Sequence, residues 1–270
     1  MFAGVTAALV TPLSATGEVP EQDVARLISS MRDSVTALLP GLSTGEGRYL
    51  TDAQWRAMLT ATLRHSTGLP VLAGIQRPTT SQVMERAIEA RELGAAAIVA
   101  TSPYGAEVGQ RAIFRHYQAL AAGSGLPVVV YNESVLSGNE TQLSTLLQVC
   151  RLPGVVGVKE SSGRAEVIRR LIAAVPGVPV FQGMERLLLD SGPVDGYVIS
   201  LANVEPAFCA DLFANRTADR PTDRAAELAD LCDRYELDRD DWYRPLKAEL
   251  VRRGVLSTDL TAADLQRRRV

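Results

Sequence analysis

Histidine and cysteine are scarce in this chain, which holds only His65, His116, Cys150, Cys209 and Cys232. No two of them lie at metal-ligand spacing and there is no CxxC, which argues against a histidine-built metal centre, a zinc site or a disulfide framework. No metal is expected. Three widely spaced thiols suit a reducing cytoplasm. Positive charge is not in excess either, since 28 lysines and arginines are set against 31 carboxylates, for a net charge of -3. With both signs interspersed, no nucleic-acid partner is expected. The one basic cluster, Arg267 to Arg269, reads as a frayed, solvated tail. No Lys or Arg precedes Arg26, so MFAGVTAALVTPLSATG lacks the basic start of a secretory signal and reads as a first buried strand. No apolar run approaches the ~20 residues that span a bilayer, and no membrane partner is expected.

What the sequence does have is a series of short, β-branched apolar runs: Val5 to Val10, Val35 to Leu39, Val71 to Gly74, Ala96 to Ala100, Val128 to Tyr131, Val155 to Lys159, Val178 to Phe181 and Tyr197 to Leu201. They are continuous rather than alternating, as strands of a parallel sheet are when both faces are covered. Helix signals lie between them. In TTSQVMERAIEARELG, Thr80 or Ser81 is placed to cap a helix that Gly94 stops, with Val83, Ala87 and Ala90 on one face. Thr51 and Gln54 have capping-box spacing. His116, in IFRHYQAL on a further helix, reads as structural. Eight alternations with short connections favour a (β/α)₈ TIM barrel over an open doubly wound sheet, with the barrel over residues 1–210. Residues 211–270 read as a C-terminal helical appendix, with helices over 225–234 and 242–253 after the polar stretch NRTADRPTD. Leu228, Leu231, Leu246 and Leu250 would pack it on the barrel.

Barrel active sites lie at the C-terminal ends of the strands, so the polar residues that end the apolar runs come first. GVVGVKESSG ends the sixth run with Lys159. A lysine projecting among apolar residues loses hydration, which lowers its pKa and leaves a nucleophilic amine able to condense with a ketone. The ordinary alternative is a strand-end lysine that snorkels to solvent. PVVVYN ends the fifth run with Tyr131, on a strand roughly 5 Å from that of Lys159. Its phenol can shuttle protons, or simply pack. The loop GLSTGE after the second run can offer backbone N–H groups to a carboxylate, and Ser43 and Thr44 add hydroxyls that can hold the same carboxylate or pass a proton to Tyr131.

In order along the chain, GLSTGE, SPY, YN and GVKESSG resemble the dihydrodipicolinate synthase and N-acetylneuraminate lyase family, from ALVTP near Thr11 to VISLANVEP near Pro206. The resemblance implies that Lys159 forms a Schiff base, that Tyr131 transfers protons, and that Ser43 and Thr44 hold the carboxylate of a pyruvate-like substrate. It further implies that the backbones of Gly183 and Val198 line the pyruvate pocket, that Glu185 and Ser161 bind a hydroxylated tail as in N-acetylneuraminate lyases, that no cofactor is needed, and that the chain forms a homotetramer or homodimer. Five positions depart from the pattern. Leu136 stands where dihydrodipicolinate synthases carry an arginine, and Gly105 stands where many members have a second tyrosine lent across a subunit interface. Glu133, Gln76 and Arg77 are also unusual; Glu133 and Arg77 either specify the partner or are solvated loop charges.

The leading expectation is a lyase or aldolase, cytoplasmic, that joins pyruvate or another 2-oxo acid to an aldehyde or cleaves the product. Alternatives are a dehydratase of a 3-deoxy-2-oxo sugar acid, a 4-hydroxy-tetrahydrodipicolinate synthase, and a non-catalytic barrel that binds a 2-oxo acid.

Overall fold

The structure, a computed structural model, describes residues 2–216 and 222–267. Of the basic tail cluster only Arg267 falls among them, paired with Asp264 at 2.7 Å. Arg268, Arg269 and residues 217–221 of the polar stretch lie outside the described residues.

The eight apolar runs form strands β1 Gly4–Ala8, β2 Ala37–Leu39, β3 Leu72–Ile75, β4 Ala97–Thr101, β5 Val128–Asn132, β6 Val155–Glu160, β7 Val180–Gln182 and β8 Gly196–Ile199. Neighbours pair in parallel around the order β2-β1-β8-β7-β6-β5-β4-β3. A parallel bridge from Leu38 to Val71, with the Leu38 N–H donating to the Pro70 carbonyl at 3.0 Å, joins β2 to β3 and closes the barrel. Ala37, Leu39, Leu72, Ala97, Val99, Val129, Phe181 and Val198 fill its interior.

Helices α1 Glu21–Met31, α2 Asp52–His65, α3 Thr80–Leu93, α4 Gln110–Gly123, α5 Leu143–Cys150, α6 Ala165–Ala174 and α7 Pro206–Ala214 surround the strands. Val24, Leu27, Ile28 and Met31 recur at helical spacing in α1 and are all buried; a fully buried aliphatic side chain of this kind contributes roughly 1.5–3 kcal/mol. The alternation expected throughout breaks once. Between β7 and β8 the segment 183–195 carries only the 3₁₀ turn Glu185–Leu187.

Local signals account for most boundaries. The box of Thr51 and Gln54 is present in full, and Gly94 ends α3 at φ 98°. The cap of α3 is Thr79 rather than Thr80 or Ser81, with its hydroxyl accepting from the Gln82 N–H at 3.3 Å. Thr80 is engaged elsewhere, 2.9 Å from Nδ1 of His116. His116 Nε2 lies 3.1 Å from the Thr101 carbonyl, and burial pulls its pKa down to about 4, so it is a neutral structural residue at pH 7. β1 ends at Ala8, two residues short of Val10, because the Val10 N–H donates to Asn203 Oδ1 at 3.1 Å instead of to a strand. β8 stops before Leu201, which enters a 3₁₀ turn with Asn203.

The appendix comprises α8 Thr222–Arg234, α9 Tyr243–Arg252 and α10 Ala262–Arg267. Leu228, Leu231, Leu246 and Leu250 are buried in one core with the barrel helices. α7 runs across the boundary expected at residue 210.

Candidate active site

Tyr131 and Lys159 are Cα partners in the β5–β6 ladder, so both side chains leave adjacent strands at one height and on the inner face. Lys159 is 4% exposed, and its Nζ lies 4.0 Å from the centroid of the Tyr131 ring. Burial pulls its pKa down to about 8, against the opposing pull of Glu185 and Glu133. This lysine does not snorkel. Its stem passes over Gly183, where an added Cβ would come within 2.7 Å of Lys159 Cε and 2.1 Å of Ser161 Oγ. Gly183 is thus glycine because the amine needs its space.

The Tyr131 hydroxyl is 3.0 Å from Ser43 Oγ. Burial raises its pKa, the Glu133 carboxylate adds to the rise, and the Ser43 hydroxyl opposes it. Of the two hydroxyls considered for the relay, only Ser43 meets Tyr131. Thr44, expected as a catalytic and carboxylate-binding residue, faces the appendix here, with its Oγ1 accepting from the Trp242 indole N–H at 3.4 Å. In the loop, the N–H groups of Glu46 and Gly47 are taken up by the carbonyls of Ser43 and Leu42. Those of Ser43, Thr44 and Gly45 have no acceptor among the described residues, which leaves a row of donors beside Tyr131 suited to an anion.

Two carboxylates that sequence reasoning missed hold this geometry. Glu46, at φ 59°, receives Lys247 Nζ at 2.6 Å and the Ala262 N–H at 2.6 Å. Lys247 also donates to the Leu260 carbonyl at 2.5 Å, and both partners of the ion pair are fully buried. A lysine on the apolar stripe of Tyr243, Leu246 and Leu250 was the available signal. Glu160 accepts from Asn132 Nδ2 at 2.5 Å and the Ser162 N–H at 2.7 Å, tying the ends of β5 and β6 together around Lys159.

Glu185, expected to bind a substrate tail, has one oxygen occupied by the Ser200 N–H at 2.7 Å, the Ser200 hydroxyl at 2.5 Å and the Leu201 N–H at 3.2 Å. Ser161 is closer to the expected role, with a buried hydroxyl that faces the Tyr131 phenol and opposes the rise in its pKa. Val198 lines the interior with Tyr131 and Phe181. Glu133 and Arg77 are not solvated loop charges. Glu133 is buried and accepts the N–H groups of Leu136 and Ser137 at 2.7 and 3.0 Å, and burial raises its pKa. Arg77 donates to the carbonyls of Gly47, Gln76 and Leu50 and so braces the loop that carries Ser43. Gly105 sits at φ 122°, a conformation that strains a tyrosine. Among the described residues no group of three or more histidine, cysteine or carboxylate side chains is placed to hold a metal ion.

A model of the dihydrodipicolinate synthetase family matches residues 1–263. A 4-hydroxy-tetrahydrodipicolinate synthase of Exiguobacterium sibiricum is 31% identical over 212 residues, which is 77% of this chain and 72% of that one. One from a second Exiguobacterium is 30% identical over 260 residues, 94% and 89% of the two chains. Among solved structures, a dihydrodipicolinate synthase of Acinetobacter baumannii complexed with pyruvate superposes with a TM-score of 0.90 over 97% of this chain and 92% of that one, at 23% identity.

Proposed function

The chain belongs to the dihydrodipicolinate synthetase family, pyruvate-dependent lyases of the Schiff-base class, and we propose that Lys159 is the amine on which it builds that intermediate. The observation that carries this reading is the buried Nζ of Lys159 at 4.0 Å from the Tyr131 ring centroid. With a pKa of about 8, about a tenth of the amine is neutral at pH 7, against less than about a thousandth for an ordinary lysine.

The pyruvate carboxylate docks on the N–H groups of Ser43, Thr44 and Gly45, which sets the C2 carbonyl over Lys159. Nζ attacks C2, the Tyr131 hydroxyl gives its proton to the developing alkoxide and is reprotonated by the attacking nitrogen through Ser43, and it then protonates the carbinolamine hydroxyl, which leaves as water. The resulting iminium withdraws electrons from C3, whose proton passes to the Tyr131 phenolate left by that step to give an enamine. C3 then attacks the aldehyde carbon, and hydrolysis of the new iminium frees the product and restores Lys159. Cleavage is the same sequence reversed.

4-Hydroxy-tetrahydrodipicolinate synthesis is the second reading, favoured by the activity of the two Exiguobacterium relatives. Leu136 speaks against it, since an apolar side chain gives no purchase to a second carboxylate. Three buried free thiols support a cytoplasmic setting, and a homotetramer or homodimer accompanies the family assignment. The deciding experiment is borohydride reduction in the presence of pyruvate. Adduct on the peptide containing Lys159 supports the proposal, and its absence, or equal adduct in Lys159→Ala, overturns it.

A further inference from the structure

Polar side chains left unpaired in a folded interior are uncommon and costly. Here they gather at one wall of the barrel mouth. Gln76, which follows β3, is 2% exposed, yet neither its Nε2 nor its Oε1 has a hydrogen-bond partner among the described residues. The Thr101 hydroxyl at the end of β4 and the Tyr104 hydroxyl just beyond it are likewise buried, and they face each other closely enough for Thr101 to oppose the rise in the Tyr104 pKa. Thr101 is the Cα partner of Tyr131, which in turn partners Lys159. All three strand ends therefore point inward at the height of the amine.

Gln76 also lines, with Ser43, Leu136 and Trp242, a cleft of about 40 Å³. That is room for one small polar group, a single water occupying ≈ 30 Å³ in the liquid. Ser43 is the residue bonded to Tyr131, so the cleft adjoins the reacting centre. We propose that Gln76, flanked by Thr101 and Tyr104, is the specificity-determining wall for the second substrate, and that it selects a neutral, hydroxylated aldehyde over an acidic one. The inference rests on the lysine chemistry proposed above and names the partner of that same site.

The choice of ligand follows from what the wall offers. An amide presents one donor edge and one acceptor edge, and a hydroxyl, or two adjacent hydroxyls, answers both. A carboxylate answers only the donor and sets its own lone pairs against Oε1. The cleft offers no buried cation to offset that conflict: its buried charge, Glu46, is an anion already paired with Lys247, Arg48 and Asp240 stand at its rim, both exposed and of opposite sign, and Leu136 is apolar. An alkyl aldehyde would leave both polar atoms of the Gln76 amide unpaired. Sites built to bond a substrate hydroxyl discriminate strongly against analogues that lack it, for this reason.

The test uses the full chain with pyruvate and three probes, glyceraldehyde, propanal and succinic semialdehyde, with product formation as the readout and borohydride trapping of pyruvate alongside. The wild type is expected to favour glyceraldehyde over propanal by at least roughly 100-fold in kcat/KM, toward the roughly 10⁴-fold of sites built to bond a hydroxyl, and over succinic semialdehyde as well. Gln76→Leu should bring the glyceraldehyde-to-propanal ratio close to one without changing the trapping rate. Because the amide has no partner within the fold, Gln76→Leu should also leave Tm unchanged or raise it, with Gln76→Met as a second apolar variant. A wild-type preference for either other aldehyde, a ratio unmoved by the substitution, or a fall in Tm in both variants overturns the inference. Failure to trap pyruvate in the wild type is a separate result: it removes the lysine chemistry and this inference with it, whereas an enzyme that traps pyruvate without preferring glyceraldehyde loses the inference alone.

Discussion

Lys247 Nζ and Glu46 Oε1 lie 2.6 Å apart, wholly buried, across 201 positions of sequence. The pair fastens α9 to the loop whose third residue, Ser43, touches Tyr131, so the appendix takes part in shaping the site. Removing one partner of a buried ion pair strands the other charge, at a cost of about 3–5 kcal/mol. Lys247→Met should lower the unfolding free energy by that order in denaturant titration and raise KM for pyruvate more than it lowers kcat. Adding Glu46→Gln to Lys247→Met should recover part of the loss. A single variant as stable as the parent would show that the pair is not what holds the loop.

Lys159 itself weighs against stability. Its pKa falls from 10.5 when unfolded to about 8 when folded. Below pH 8 it is charged in both states and the burial penalty is fully present; between pH 8 and 10.5 the folded chain releases the proton first, and stability rises with pH; above 10.5 the penalty is gone. Lys159→Met is therefore expected to be more stable than the parent at pH 7 by about 3 kcal/mol, with the gap closing toward pH 10.5. Unfolding curves of both proteins at pH 7, 9 and 10.5 check this, and a gap that widens with pH would contradict it.

Tyr131→Phe keeps the ring on which Lys159 rests and deletes the proton carrier. Loss of a positioned acid–base group costs roughly 10²- to 10⁴-fold, so kcat should fall by that factor while trapping of pyruvate, given hours, still goes to completion. Ser43→Ala should show a smaller loss in kcat and a rise in KM for pyruvate, since it removes one hydroxyl from both the phenol and the carboxylate. Thr44→Val is expected to change kcat less than Ser43→Ala, because Thr44 faces Trp242. Equal effects from Ser43→Ala and Thr44→Val would put both hydroxyls in the relay. Single-turnover and steady-state rates separate the cases.

The barrel was legible because each strand is a continuous apolar run and each connection carries its own punctuation, as Thr51, Gln54 and Gly94 illustrate. Lys159 and Tyr131 were legible for a related reason: in a parallel barrel a polar residue ending an apolar run has one place to go. What escaped was every interaction that depends on a distant segment. Glu185 stood in the right loop, but the Ser200 and Leu201 groups that engage it come from the turn after the next strand. Glu133 read as a loop charge because nothing in YNESVLSG says that the chain folds back to bring the Leu136 and Ser137 amides to it. Gln76 drew notice only as an oddity, since an unpaired amide is a property of surroundings and not of sequence.

Gly183 offers the sharpest check on the arrangement. Gly183→Ala adds one methyl group that meets Ser161 Oγ at 2.1 Å and Lys159 Cε at 2.7 Å, both too close to tolerate. The serine can be trimmed, whereas the lysine stem has to move, and moving it takes Nζ off the Tyr131 ring. Gly183→Ala should therefore slow borohydride trapping of pyruvate by at least about tenfold, the cost of a misplaced reacting group. Combining Gly183→Ala with Ser161→Ala removes the shorter clash and should restore Tm toward the parent while leaving trapping slow. If the double variant recovers trapping along with Tm, the clash with Ser161 was the whole effect and Gly183 does not set the position of the amine.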